Sequence, residues 1–172
     1  MTDMTGEAQG SAPQADDTIE SAKQRAKEFA DGFAAAAADT LELTTFVASE
    51  EPEGIILGFD GPDAHLLVGR AGRTLDALQY IASNVVNRRS MRGRLHVIFD
   101  ADSYRARREE TLNKLATDLS AQVVATGEEA VLDPLSPLER RIVHNALKDI
   151  AGVRTYSEGE EPERYIIISP AA

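Results

Sequence analysis

Across residues 17–38, Ile19, Ala22, Ala26, Phe29, Ala30 and Phe33 return at steps of three and four. That period gathers the apolar set on one helical face, and Asp16 or Asp17 can cap its start. The period then changes. Residues 41–49 (LELTTFVAS) and 54–60 (GIILGFD) are short apolar and β-branched runs flanking Glu50-Glu51-Pro52-Glu53, the pattern of a β-hairpin with an acidic turn. A short segment follows at 62–68, with Asp60 as its cap and Pro62 pre-set for a first helical turn. It stops at Gly69-Arg70-Ala71-Gly72. From Arg73 a longer amphipathic helix begins, with Leu75, Leu78, Ile81, Ala82, Val85 and Val86 as its core stripe. Residues 94–100 (RLHVIFD) alternate Leu95, Val97 and Phe99 against Arg94, His96 and Ile98, as a strand does.

The pattern resumes after Ala101 with a second long helix to about residue 125. It turns Tyr104, Leu112, Leu115, Ala116, Leu119 and Val123 inward, and Gly127 terminates it. Val131, Leu132 and Leu135 form an extended stretch interrupted by Pro134. Ser136-Pro137-Leu138-Glu139 is a capping box with proline at the first helical position; its helix runs to Ile150 and is closed by Gly152. Two strands, 153–157 and 164–169, are joined by the acidic turn Glu158-Gly159-Glu160-Glu161-Pro162. Residues 1–16 carry almost no large apolar side chains and are expected to be a disordered acidic tail.

A length of 172 residues fits one ordinary domain or two small ones. Aromatics make up only 5% and Trp is absent, so the core is expected to consist of Leu, Ile, Val and Ala. The absence of Cys excludes disulfides, thiolate nucleophiles and Cys-based metal sites, and suits a reducing cytoplasm. The three histidines are scattered without HxxxH or HExxH spacing, so no metal or other cofactor is expected. His65 and His96 read as structural. No nucleophile elbow or Ser/His/Asp context suggests an enzyme. The opening MTDMTGEAQG is polar and acidic, and the longest uniform run, five alanines from Ala34, cannot span a bilayer. No membrane insertion is expected.

A net charge of −11 argues against a polyanionic partner until its distribution is considered. Residues 1–63 carry −11, residues 64–125 carry +4 and residues 126–172 carry −4. Between Gly69 and Arg108 stand nine arginines against three aspartates, a local basic patch able to hold a phosphate backbone. The Gly69-Arg70-Ala71-Gly72 turn lies within it. Two glycines admit close backbone approach, the following helix offers unpaired N–H groups, and Arg70 and Arg73 add charge. A plain helix–turn–helix connection has the same letters. It is not a nucleotide-triphosphate loop, because Leu67 stands at the first glycine position and Arg73 at the lysine. Arg88, Arg89, Arg92 and Arg94 either flank the nucleic-acid path or form a solvated helix end favoured by the macrodipole. Farther on, Arg140 and His144 are four apart on one helical face, where they can jointly meet a phosphate or stand as a surface arginine beside a half-buried histidine.

The element order helix, strand, strand, helix, GxxG, helix, strand is that of a type II KH domain (αββααβ). The segment HLLVGRAGRTLDALQYIASNVVNRR (65–89) resembles that domain in the bacterial Jag proteins, also called KhpB or SpoIIIJ-associated proteins. DPLSPLERRIVHNALKDI (133–150) and the strands after it resemble the small α/β domain named for its Arg-xxx-His spacing, which in these proteins follows the KH domain. The resemblance implies an α+β chain with a KH domain at 17–100 and an Arg-xxx-His domain at 101–172. It implies non-enzymatic binding of single-stranded RNA, or of single-stranded DNA, by Gly69, Arg70, Ala71, Gly72 and Arg73, by Arg140 and His144, and by Arg88 and Arg89 along the path. In KH domains the loop clamps about four nucleotides while bases meet an apolar groove beside it. Relatives often carry a second basic residue where Ala71 stands, and many have an additional N-terminal domain. The resemblance further implies a small KH-only protein partner, a cytoplasmic location, and a role as RNA chaperone and post-transcriptional regulator linked to cell elongation and envelope homeostasis. A protein–protein adaptor that keeps both folds is the alternative.

Overall fold

The computed structural model describes residues 19–50, 54–88 and 95–171. The acidic tail, the tip of the first hairpin, Arg89, Arg92 and Arg94 lie outside the described residues. The chain is α+β and forms two compact units that divide between Tyr104 and Arg105.

In the first unit, α1 (Ile19–Ala37) precedes β1 (Thr44–Glu50) and β2 (Gly54–Asp60), followed by a 3-10 turn at Ala64–Leu67, α2 (Arg73–Val86) and β3 (His96–Ala101). β1 pairs antiparallel with β2 from Thr44↔Asp60 to Glu50↔Gly54, and β3 pairs parallel with β2 from Gly54↔His96 to Phe59↔Ala101. Parallel neighbours require a crossover, and the glycine loop with α2 supplies it. Central β2 therefore buries Ile55, Leu57 and Phe59, with Val97 and Phe99 beside them on β3.

The aliphatic core expected from composition holds in both units, with one aromatic cluster added to the first. Phe59 and Phe99 are fully buried and stack at 4.5 Å, and Phe33 meets them edge-on at 5.3 and 5.9 Å. All five phenylalanines precede Arg105, so the average concealed a ring cluster within the first core and a phenylalanine-free second one. Such ring pairs add roughly 0.5–1.5 kcal/mol each beyond burial. The stripe on α2 is also narrower than its period suggests. Leu75, Ala82 and Val86 are buried, but Ile81 (50% exposed) and Val85 (40%) face outward beside Tyr80 (73%). Asp60 does not cap the short helical segment: Asp63 occupies that position, and its carboxylate accepts the Glu42 N–H at 2.8 Å instead.

The second unit contains α3 (Tyr104–Thr126, which opens on the last residue of the first unit), β4 (Ala130–Val131), α4 (Pro137–Leu147), β5 (Val153–Glu158) and β6 (Tyr165–Pro170). Its strand order is β4-β6-β5, antiparallel throughout. Leu112, Ala116 and Val123 of α3 meet Val143 and Leu147 of α4 over Ile166 and Ile168. Leu115, expected inside, is 42% exposed. Gly127, at φ 74°, ends α3 by donating to Val123 O at 2.9 Å. The capping box forms as expected: the Glu139 N–H donates to Ser136 Oγ, and Glu139 Oε2 accepts the Ser136 N–H. Its other oxygen, Oε1, accepts from Arg108 Nε at 2.7 Å. Arg108 thus pairs across the unit rather than with its neighbours Glu109 and Glu110. α4 stops at Leu147, short of Ile150, because Ile150 N–H folds back onto Leu147 O at 3.1 Å. Among the described residues no helix is long and apolar enough to cross a membrane.

Candidate nucleic-acid interface

The glycine loop owes its shape to three left-handed residues. Gly69 has φ 68°, Ala71 φ 51° and Gly72 φ 77°. A side chain at Gly69 would put its Cβ 2.0 Å from Thr74 Oγ1, and one at Gly72 would meet the Tyr104 ring at 3.0 Å. Space and backbone thus both require glycine at the two ends. Val68 O accepts the Leu75 N–H at 3.3 Å and closes the loop at its base. Arg70, Ala71 and Arg73 are exposed, Gly72 is buried, and no side chain caps the start of α2. An anion at this point would meet two cations and the positive end of a 14-residue helix. Leu66, 52% exposed, offers apolar surface immediately before the loop; periodicity could not reveal it, because a 3-10 turn has no long stripe.

Arg88 is not brought to this loop. It is exposed just past the other end of α2, and 14 residues of helix separate the two ends by about 21 Å. Asn87 holds that end: its side chain accepts from Leu95 N–H at 2.8 Å and donates to Leu95 O at 3.0 Å. Arg89 lies outside the described residues. His65 is exposed, with Nδ1 2.9 Å from Pro62 O.

In the second unit Arg140 and His144 share a face of α4, as their spacing requires, yet neither offers an open cation. Arg140 is buried at 8% exposure. Its Nη1 donates to Leu135 O at 2.6 Å, and Nη2 makes an ion pair with Glu161 from the β5–β6 turn. The expected surface guanidinium is therefore corrected to a buried clasp. The sequence carries no sign of this pairing, because the partners are 21 positions apart and the turn offers several equivalent glutamates. His144 Nδ1 lies 2.6 Å from Thr155 Oγ1 and Nε2 lies 3.1 Å from Ser157 Oγ, both on β5. Burial, and then the positive charge of Arg140, push its pKa below the ordinary 6.5. Both groups tie α4 to the hairpin.

The direction of that shift sets a pH dependence. The unfolded chain takes up its proton near 6.5, the folded chain only at lower pH. Stability from this site is therefore complete above 6.5 and declines as pH falls through the folded value. Thermal melts followed by circular dichroism from about pH 7.5 to 5 should show a falling midpoint, and His144→Asn should flatten that dependence. Parallel profiles would assign the loss to other groups.

Two family models match the chain, the KhpA/KhpB KH domain over residues 23–97 and the Arg-xxx-His (R-three-H) domain over residues 110–170. Curated relatives named RNA-binding protein KhpB align with it. The Clostridium symbiosum protein is 42% identical over 121 residues, 70% of this chain and 54% of that protein. The Lactiplantibacillus plantarum protein is 38% identical over 113 residues, 66% of this chain and 35% of its own length. The chain thus spans about half or less of these two relatives. The Bacillus subtilis protein is 34% identical over 148 residues, 85% of this chain and 69% of that protein. With a KH domain followed by an Arg-xxx-His domain, and an alignment covering more than two thirds of that last relative, the chain belongs to the KhpB family.

Proposed function

We propose that the chain binds single-stranded RNA, with single-stranded DNA as a chemically similar ligand, and performs no reaction on it. One observation carries this: the Gly69–Gly72 loop presents Arg70 and Arg73 to solvent at a helix start that no side chain caps, the arrangement of a backbone clamp. The names of the relatives support it. The working division is a KH domain at 17–100 and an Arg-xxx-His domain at 101–172. Arg140 and His144 join the contact only after a phosphate displaces Glu161. Arg88 and Arg89 meet a strand long enough to run the length of α2. The setting is the cytoplasm, and the role is that of an RNA chaperone and post-transcriptional regulator acting on cell elongation and envelope homeostasis. A small KH-only protein is the proposed partner, for which the exposed Tyr80, Ile81 and Val85 on α2 provide an apolar surface.

Affinity for short single-stranded RNA at two salt concentrations tests this reading. Binding should weaken with salt, and Arg70→Ala and Arg73→Ala should each lower the log–log slope by about 0.7. Salt-insensitive binding would overturn it. If ribonuclease left every captured partner attached, the adaptor reading, which the net charge of −11 favours, would replace it.

A further inference from the structure

The chain leaves β3 through a turn of unfavourable backbone. Asp102 and Ser103 both take left-handed conformations, at φ 53° and 49°, a region that disfavours side chains and that persists only where the surroundings over-determine it. The turn is pinned to the end of β2 by the Asp102 N–H, which donates to Phe59 O at 2.9 Å. Its result is the placement of Tyr104. That ring packs against the first core and lies directly under Gly72. A Cβ at Gly72 would be 3.0 Å from Tyr104 Cε1, 3.4 Å from its hydroxyl and 3.5 Å from Cζ.

Gly72 is the buried end of the glycine loop, and its neighbour Ala71 is the one loop residue with a side chain held at left-handed φ. Left alone, alanine would relax toward right-handed backbone and rotate the adjoining peptide groups. A flat ring beneath the next residue opposes that rotation. We propose that Tyr104 is a positioning residue for the clamp: its ring is the floor that holds Ala71 and Gly72 in their left-handed backbone, and the strained turn serves to deliver it. This rests on the loop being the RNA clamp.

The full chain is tested with single-stranded RNA and, without RNA, by amide NMR. Tyr104→Ala should weaken RNA binding about fivefold or more and move the amide signals of Ala71, Gly72, Arg73 and Thr74, whereas Tyr104→Phe, which keeps the ring, should stay within about twofold. Adding Ala71→Gly tests the strain specifically. Glycine holds left-handed backbone without support, so the loss caused by Tyr104→Ala should shrink when Ala71→Gly is also present, a non-additive pair. A merely structural role would lower the melting midpoint without that coupling. Tyr104→Leu is read in the same way should the alanine variant fail to fold. Native affinity together with unmoved loop amides in the Tyr104 variants would overturn the inference. Failure of the unaltered chain to bind RNA would instead overturn the functional reading, and the amide shifts would still decide the role of Tyr104.

Discussion

Replacing Gly69 and Gly72 together by Asp is expected to lower affinity for single-stranded RNA at least about tenfold, a loss of about 1.4 kcal/mol or more. Three effects point the same way. Both positions hold positive φ, which costs an ordinary side chain roughly 1–2 kcal/mol per residue. The new Cβ atoms meet Thr74 Oγ1 at 2.0 Å and the Tyr104 ring at 3.0 Å. Two carboxylates also cancel the charge of Arg70 and Arg73 where a phosphate would sit. The double alanine variant separates these causes, since it keeps the steric and backbone costs without the added charge. Affinity unchanged in the aspartate pair, measured by gel shift on folded protein, would mean that the strand is held elsewhere.

The second large effect concerns Arg140. Its replacement by Ala removes the donor to Leu135 O and the counter-charge from Glu161. Breaking a fully buried pair costs about 3–5 kcal/mol. Because the Glu161 side chain is 50% exposed, the expected loss is smaller, roughly 2–3 kcal/mol, read as a lowered melting transition. Arg140→Lys should recover only part of it, because one ammonium cannot reproduce the planar two-acceptor geometry. Glu161→Gln keeps one acceptor oxygen for the guanidinium, replaces the other with an amide NH2 that cannot accept, and frees the charge. If phosphate competes for Arg140, this variant should bind RNA more tightly than the unaltered chain. Equal stability of the Arg140→Ala protein would show that the clasp contributes little.

Much of this architecture was legible in the sequence because backbone-level signals are local. The hairpin, the GxxG crossover and the Ser136–Glu139 capping box each follow from residues within a few positions of one another. What could not be read is the depth of burial on each side of a stripe. Ile81, Val85 and Leu115 keep the helical period, yet period alone does not say how wide a face the neighbouring sheet covers. Composition fell short for a related reason: an average over the chain hid the concentration of Phe33, Phe59 and Phe99 in one unit. Charge pairing was the least legible. Arg108 reaches Glu139 and Arg140 reaches Glu161, although nearer carboxylates were available to both in the sequence. At the candidate site, glycine identity and arginine placement were readable, while the buried state of Arg140 and the ring beneath Gly72 depend on tertiary approach.

The central position of β6 in the second sheet constrains how that unit can arise during synthesis. β4 and β5 pair with β6 and not with each other, so neither finds its neighbour until residues 165–170 have emerged from the ribosome. The first sheet closes with β3, about 70 residues earlier along the chain. A nascent polypeptide can therefore fold its glycine loop while the Arg-xxx-His half is still unpaired, and a premature stop just before Tyr165 would leave the early half folded beside a sheet with no centre.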